Sequence, residues 1–407
     1  LCALSVALAA TSCTAEEDPT LNQRALGEAT MVNTNALIEA SPALITAVDD
    51  ANATLSARLS APVGRMTVRT NGRAQGALTF NLTNLHPAAT ARLVASQAVA
   101  ASASFDTEAC PRVVSGETTC EGDPACLPPT LVHDPDVPTR ATLTIPIPAC
   151  RRIVVEVAPP AQDTIRFALI GSLDEPARLD ALLAAALERE PALDFAVQLG
   201  DSADSGAEAL ELLAQAASRA SVPLVMLPGE REAGDAADAS RWQRKFGPFD
   251  LRWTWSSVQF LAFSSVGGTL PTRGINNLES ALRAMRDERA AQARLAATPL
   301  KQGTLALTHV PPFDPSGLRE DGFVDRLEAA RVMSLLGRYG VQYLFAGHLH
   351  RAGTLDATIP TYITTARSLP FSETAEYMLI TISSQPLPSS TRRAGDLYID
   401  IERVAAP

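Results

Sequence analysis

The sequence predicts an α/β (α+β) layered domain over residues 164–407, preceded by a small mainly-β domain over residues 14–160. Three observations carry this reading. After Thr164, short apolar runs of strand length alternate with helical apolar patterns, which argues for sheets covered by helices. Before residue 160, several runs have a period of two with turn residues between them, which suggests a small sandwich. Between the two regions, Pro159-Pro160-Ala161-Gln162-Asp163 reads as a linker. A length of 407 residues fits two or three domains at roughly 150 residues each.

Taken in order, residues 1–13 form a short apolar stretch that ends in small residues before Cys13, followed by a polar segment. This pattern predicts an export signal. Small residues directly before Cys13 resemble a bacterial lipoprotein signal, in which that Cys carries the lipid anchor. An ordinary secretory signal is the alternative. The segment from Asn35 to Ala61 is rich in Ala and Leu and predicts a helix. Arg65–Thr70, Ala77–Thr83, Ala141–Ile147 and Arg152–Val157 predict strands. Four cysteines follow the leader: Cys110, Cys120, Cys126 and Cys150. An even number in an exported, oxidising setting predicts two disulfides, with three possible pairings.

In the second domain, Ile165–Ile170 predicts a buried strand. Asp174-Glu175-Pro176 then reads as a helix start, with Asp174 as the cap and Leu179, Leu182, Leu183 and Leu187 on one face. Phe195–Leu199 and Pro223–Leu227 predict strands. Between them lies a helix over Glu208–Arg219 that buries Leu212, Leu213, Ala216 and Ala217. Strands follow at Leu251–Trp255, Val258–Phe263, Thr304–Thr308 and Val341–Ala346. Helices follow at Leu278–Ala297 and Val324–Tyr339. Trp242, Trp253 and Trp255 read as packing groups, and His86 and His133 as surface or turn residues.

Composition narrows the function. Apolar residues make up 46% of the chain, enough for a real core, and the net charge is −11. No basic block is present, which excludes a dedicated nucleic-acid binder. The body has no apolar run of membrane-spanning length, so membrane contact is expected only through the lipid anchor.

The polar residues sit where the strands end. Ile170 leads into Gly171-Ser172-Leu173-Asp174, and Leu199 into Gly200-Asp201-Ser202-Ala203-Asp204. Leu227 leads into Pro228-Gly229-Glu230-Arg231-Glu232, Leu307 into Thr308-His309, and Phe345 into Ala346-Gly347-His348-Leu349-His350. Ligand sites in α/β sheets form beyond the carboxyl ends of strands. These tips carry three of the five histidines, so one convergent site is expected. In an extended segment the rings of His348 and His350 would point to the same side. Imidazoles together with carboxylates suit a transition metal.

This arrangement resembles the calcineurin-like metallophosphoesterase family over residues 164–366. The family's five motifs run D-x-H, G-D-x-x-D, G-N-H-[ED], H and G-H-x-H. Gly200-Asp201-Ser202-Ala203-Asp204 fits the second, His309 before Pro311-Pro312 the fourth, and Gly347-His348-Leu349-His350 the fifth. Phe246-Gly247-Pro248 resembles the segment that often follows the third. The resemblance implies a metallophosphoesterase-like β-sandwich flanked by helices. At the first motif, Ser172 and Asp174 replace Asp and His. At the third, Glu230 and Arg231 replace Asn and His.

Carried over residue by residue, the resemblance implies one metal position held by Asp201, Glu230, His309 and His348. A second position keeps only Asp201 and His350, with Asp174 beside them. One or two divalent transition metals (manganese, iron or zinc) are thus implied, with the second site weakened. Arg231 stands where the family places a His near the leaving group. It can stabilise negative charge but cannot donate a proton. Asp204 is expected to order its loop through backbone hydrogen bonds, and Arg231 to pair with Glu230 or Glu232.

Three functional readings follow. The first is an exported, lipid-anchored, metal-dependent phosphoesterase acting on phosphomono- or diesters. The second is an inactive scaffold of the same fold that binds a protein or glycan at the cell envelope. In the third, the N-terminal domain binds the glycan or protein and the C-terminal domain supports it.

Overall fold

The computed structural model describes residues 30–32, 36–71, 73–98, 127–173, 175–270, 272–295, 302–314, 321–350, 352–356, 359–364, 376–388, 393–394 and 396–405. The expected leader and the cysteines Cys110, Cys120 and Cys126 lie outside these residues. Cys150 lies within them and takes part in a disulfide.

The N-terminal region is built of strands alone among the described residues: β1 (Thr30–Val32), β2 (Ala36–Ser41), β3 (Ala43–Asp49), β4 (Thr54–Leu59), β5 (Gly64–Thr70), β6 (Ala77–Thr83), β7 (Thr90–Ala98), β8 (Thr130–His133), β9 (Arg140–Pro146) and β10 (Arg151–Ala158). They form two five-stranded sheets, ordered β1-β2-β5-β10-β7 and β3-β4-β6-β9-β8. Ile38, Leu59, Met66, Phe80, Leu143 and Val155 fill the space between them. The helix expected over Asn35–Ala61 is instead β2, β3 and β4. Ala36, Ile38 and Ala40 are buried, as are Leu55, Ala57 and Leu59. Those positions recur every second residue, the period of a strand, so spacing overrode an Ala- and Leu-rich composition.

The second region contains β11 (Thr164–Ile170), α1 (Arg178–Arg189), β12 (Phe195–Gln198), α2 (Ala207–Ser218), β13 (Leu224–Met226), α3 (Glu230–Ala233), α4 (Ala236–Phe246), β14 (Leu251–Trp255), β15 (Val258–Ala262), α5 (Thr272–Leu295), β16 (Gly303–Thr308), α6 (Arg326–Arg338), β17 (Tyr343–Ala346), β18 (Gly353–Leu355), β19 (Thr361–Ile363), β20 (Glu376–Ser383), β21 (Arg393–Ala394) and β22 (Leu397–Ala405). Two six-stranded sheets run β13-β12-β11-β20-β22-β21 and β14-β15-β16-β17-β19-β18. Phe167, Phe195, Trp253, Trp255, Phe260 and Phe345 pack between them. Phe167 stacks on Phe195 at 4.9 Å and Trp253 on Phe260 at 4.8 Å. Helices α1, α2 and α4 cover the outer face of the first sheet, and α5 and α6 that of the second. The result is the predicted sandwich flanked by helices. No described helix is long and apolar enough to cross a membrane.

Two helix expectations need correction. The cap of α1 is Ala177, with no side-chain hydrogen bond, so the helix starts beyond Asp174. In α2 the buried face is Leu210, Leu213, Ala216 and Ala217, whereas Leu212 is 52% exposed. Leu210 and Leu213 lie three apart on the inner face, and Leu212 turns outward.

β11, β12 and β13 run parallel, as do β15, β16, β17 and β19. Their carboxyl ends are bound together. Leu173 N–H donates to Asp201 O at 2.9 Å, and Gly347 N–H to His309 O at 2.9 Å.

The N-terminal region closes the open edge at β13. Asn84 Nδ2 donates to Leu59 O at 2.7 Å and Leu224 O at 3.0 Å, and Asn84 Oδ1 accepts from Leu224 N–H at 2.7 Å. Arg58 Nη2 also donates to Leu224 O at 3.1 Å. His86 belongs to the same junction rather than to a free turn. Its Nε2 lies 3.6 Å from Asp194 Oδ1, and its ring stands edge-on to Trp255. Because Asn84 is buried, Asn84→Ala strips partners from backbone groups that water cannot reach. At roughly 1–3 kcal/mol per orphaned group, the variant should lose at least ~2 kcal/mol, read as a lower thermal midpoint.

Candidate metal centre

Each candidate ligand is placed by the turn that follows its strand. After β12, the buried Gln198 side chain accepts from Gly200 N–H at 3.0 Å and donates to Gly200 O at 2.8 Å. This clamps a sharp turn, in which Gly200 has φ +93° and Asp201 φ +56°. A Cβ on Gly200 would stand 2.8 Å from Gly229 N, so only glycine lets the two loops meet. Asp201 is thereby turned inward, 4% exposed.

Glu230 opens α3 directly after Gly229. His309 follows β16 and is buried. Its Nδ1 lies 2.6 Å from Leu199 O. A carbonyl can only accept, so Nδ1 carries the proton and Nε2 is turned towards the carboxylates. Nε2 lies 2.8 Å from Glu230 Oε2 and 3.5 Å from Asp201 Oδ2. His348 follows β17, with Nδ1 3.2 Å from Glu230 Oε2. Asp201, Glu230, His309 and His348 each offer a ligand atom within 4.8 Å of the other three.

The other expected site residues fall differently. His350 is outside this group of four. His348 has φ +68° and His350 φ +50°, so the segment is not extended. The two rings, 6.4 Å apart, therefore do not share the alternation of a strand. Asp174 lies outside the described residues. Arg231 pairs with Asp204 rather than with Glu230 or Glu232, and its Nη1 donates to Leu173 O at 3.1 Å. Its backbone N–H donates to Asp201 Oδ1 at 3.2 Å. Asp204 is exposed and serves Arg231, so it does not order the loop.

That task falls to Glu232, which the sequence reading passed over. Its carboxylate accepts from Asp201 N–H at 3.0 Å, Ala203 N–H at 2.7 Å, Gly229 N–H at 2.9 Å, and Ser202 N–H. A signal was present: Glu232 stands at the acidic last position of the G-N-H-[ED] pattern.

The electrostatics centre on His309. Burial opposes its protonation, but hydrogen bonds and charge from Asp201 and Glu230 outweigh burial and push its pKa up to about 10. Burial alone would raise Asp201 and Glu230. Contact with His309, and for Glu230 also His348, instead holds both below the usual carboxylate range. In the ion-free chain, a proton on His309 thus sits between the two carboxylates. A group raised in this way contributes stability fully below its ordinary value of ~6.5 and loses it as pH rises through about 10. A metal ion must displace that proton. Ion binding at neutral pH should release about one proton per chain and tighten as pH rises. Calorimetry in buffers of different ionisation enthalpy measures this.

The donor chemistry fits a divalent transition metal. Two carboxylates balance a 2+ charge, and two imidazoles suit manganese, iron or zinc. The Leu199 carbonyl fixes the ring of His309, as an outer partner does for a metal-ligating His.

Residues 166–352, just under half of the chain, match the model of the calcineurin-like phosphoesterase family. Solved structures similar to the chain include a dimetal phosphatase from Danio rerio, at 12% identity and TM-score 0.39, covering 60% of this chain and 99% of that one. A phosphatase from Mycoplasma pneumoniae is similar at 9% identity and TM-score 0.31, covering 60% and 94%. Vps29 from Chaetomium thermophilum is similar at 13% identity and TM-score 0.27, covering 60% and 98%. No curated protein matches the chain.

Proposed function

We propose that this chain is an exported, lipid-anchored phosphoesterase that works with one divalent ion held by Asp201, Glu230, His309 and His348. The observation that carries the reading is the convergence of those four ligand atoms within 4.8 Å. When bound, such an ion supplies Lewis-acid polarisation of the phosphoryl group and activation of water. The surrounding residues divide the remaining work. Glu230 supplies a second carboxylate where the family pattern has a neutral amide, so the donor set neutralises a 2+ ion by itself. The second metal position lacks its own carboxylate and imidazole at Ser172 and Asp174, which leaves one full site.

Arg231 is the proposed catalytic side chain. Asp204 and the Leu173 carbonyl hold its guanidinium, which remains partly exposed. It can receive the negative charge of a phosphoryl oxygen or departing group, but it has no proton to give at neutral pH. Departure without a proton favours leaving groups that are stable as anions. An aryl phosphate such as p-nitrophenyl phosphate should be hydrolysed much faster than an alkyl phosphate under equal metal loading. Equal rates on the two would count against this role. The export reading rests on residues 1–13, and the cysteines after Cys13 are proposed to form two disulfides in that oxidising setting.

A further inference from the structure

Glu232 is fully buried, and the two loops that carry the carboxylate ligands converge on it. Three consecutive N–H groups, of Asp201, Ser202 and Ala203, point at its carboxylate. Successive N–H groups curled in this way form an anion-binding concavity. Here the anion is a side chain of the same protein. Oε2 takes both Asp201 N–H at 3.0 Å and Gly229 N–H at 2.9 Å. One oxygen thus joins the turn bearing Asp201 to the residue just before Glu230. Asp201 has positive φ, a conformation that a non-glycine residue keeps only when its surroundings impose it.

The chemistry requires a carboxylate. An ionised carboxylate only accepts, with room for about four donors, and all four positions are used. A carboxamide of the same shape would turn an NH2 towards N–H donors on one side. We infer that Glu232 is a positioning residue: by tying the Asp201 turn to the start of α3, it sets the separation at which the Asp201 and Glu230 carboxylates reach the same ion. This rests on the metal reading above. Replacement should then act on ion affinity through geometry, although Glu232 touches no ion.

The test titrates the full chain with Mn2+, measuring affinity by calorimetry and the bound ion by its EPR spectrum. Wild type, Glu232→Gln and Glu232→Asp are compared, each with a thermal melt. Glu232→Gln should weaken binding by about 10–100-fold, the range for partners one step removed from a metal ligand, and change the spectrum of the ion that still binds. Glu232→Asp keeps the charge with a shorter reach and should fall between the two, which a loss of fold alone would not produce. Folded Glu232→Gln with wild-type affinity overturns the inference. If Glu232→Gln does not fold, Glu232→Asp decides: several-fold weaker binding at an unchanged melting midpoint supports the inference, and unchanged affinity overturns it. Absence of Mn2+ binding by the wild type overturns the metal reading itself and this inference with it.

Discussion

Replacing His309 with alanine should lower affinity for a divalent ion more than ~100-fold, beyond the 10–100-fold typical of an outer partner. Three features concentrate the effect on this residue. It is fully buried, its ring is fixed by the Leu199 carbonyl at 2.6 Å, and its Nε2 lies close to both carboxylates. Alanine also leaves Asp201 and Glu230 facing each other without the His309 cation that helps hold both pKa values down, with only His348 still beside Glu230. The charge repulsion that follows should raise both. The variant should therefore bind a divalent ion weakly and lack the proton release expected on loading wild type. Titration with Mn2+ or Zn2+ measures both. Affinity within tenfold of wild type would show that His309 is not a ligand.

The second large effect is expected at Gly229. Its φ of −109° and ψ of −171° are extended, so alanine meets no backbone penalty there. The conflict is purely steric. A Cβ would lie 2.5 Å from Asp201 N and closer still to the Asp201 carboxylate, and real contacts do not come so close. The loops must separate, which pulls Gly229 N–H and Asp201 N–H apart on Glu232. Gly229→Ala should cost roughly 1–3 kcal/mol through overpacking. It should also weaken ion binding by about 10–100-fold, because the Asp201 turn supports a ligand. Thermal denaturation and metal titration of the same preparation test the pair of effects. A variant as stable and as tightly binding as wild type would refute the close approach of the two loops.

The layered half of the fold was legible because its strands are short, apolar and followed at once by polar tips. Ile165–Ile170, Phe195–Leu199 and Thr304–Thr308 read as strands without any partner in view. The same feature placed Asp201, Glu230, His309 and His348 near one another, since parallel strands carry their ends to one side. The N-terminal region was harder. From Asn35 to Ala61 alanine and leucine dominate, and residue type suggested a helix while spacing encoded strands. Leu212 is a related case: its apolar side chain suggests a buried position, but Leu210 occupies that face. At the site, side chains that bond across loops left little local trace. Arg231 reaches Asp204, 27 residues away, past two acidic neighbours. Glu232 acts on backbone N–H groups about thirty residues away; the G-N-H-[ED] pattern marks its position but not that role.

The four converging ligands make a candidate site for one ion. Metal content per chain is the direct test, after the purified protein is incubated with manganese, iron and zinc and freed of unbound ions. About one tightly held ion per chain is expected, lost in the His309→Ala and His348→Ala variants. Two ions per chain would contradict the single-site reading. No retained ion would contradict the metal reading and favour an inactive binding module of the same fold.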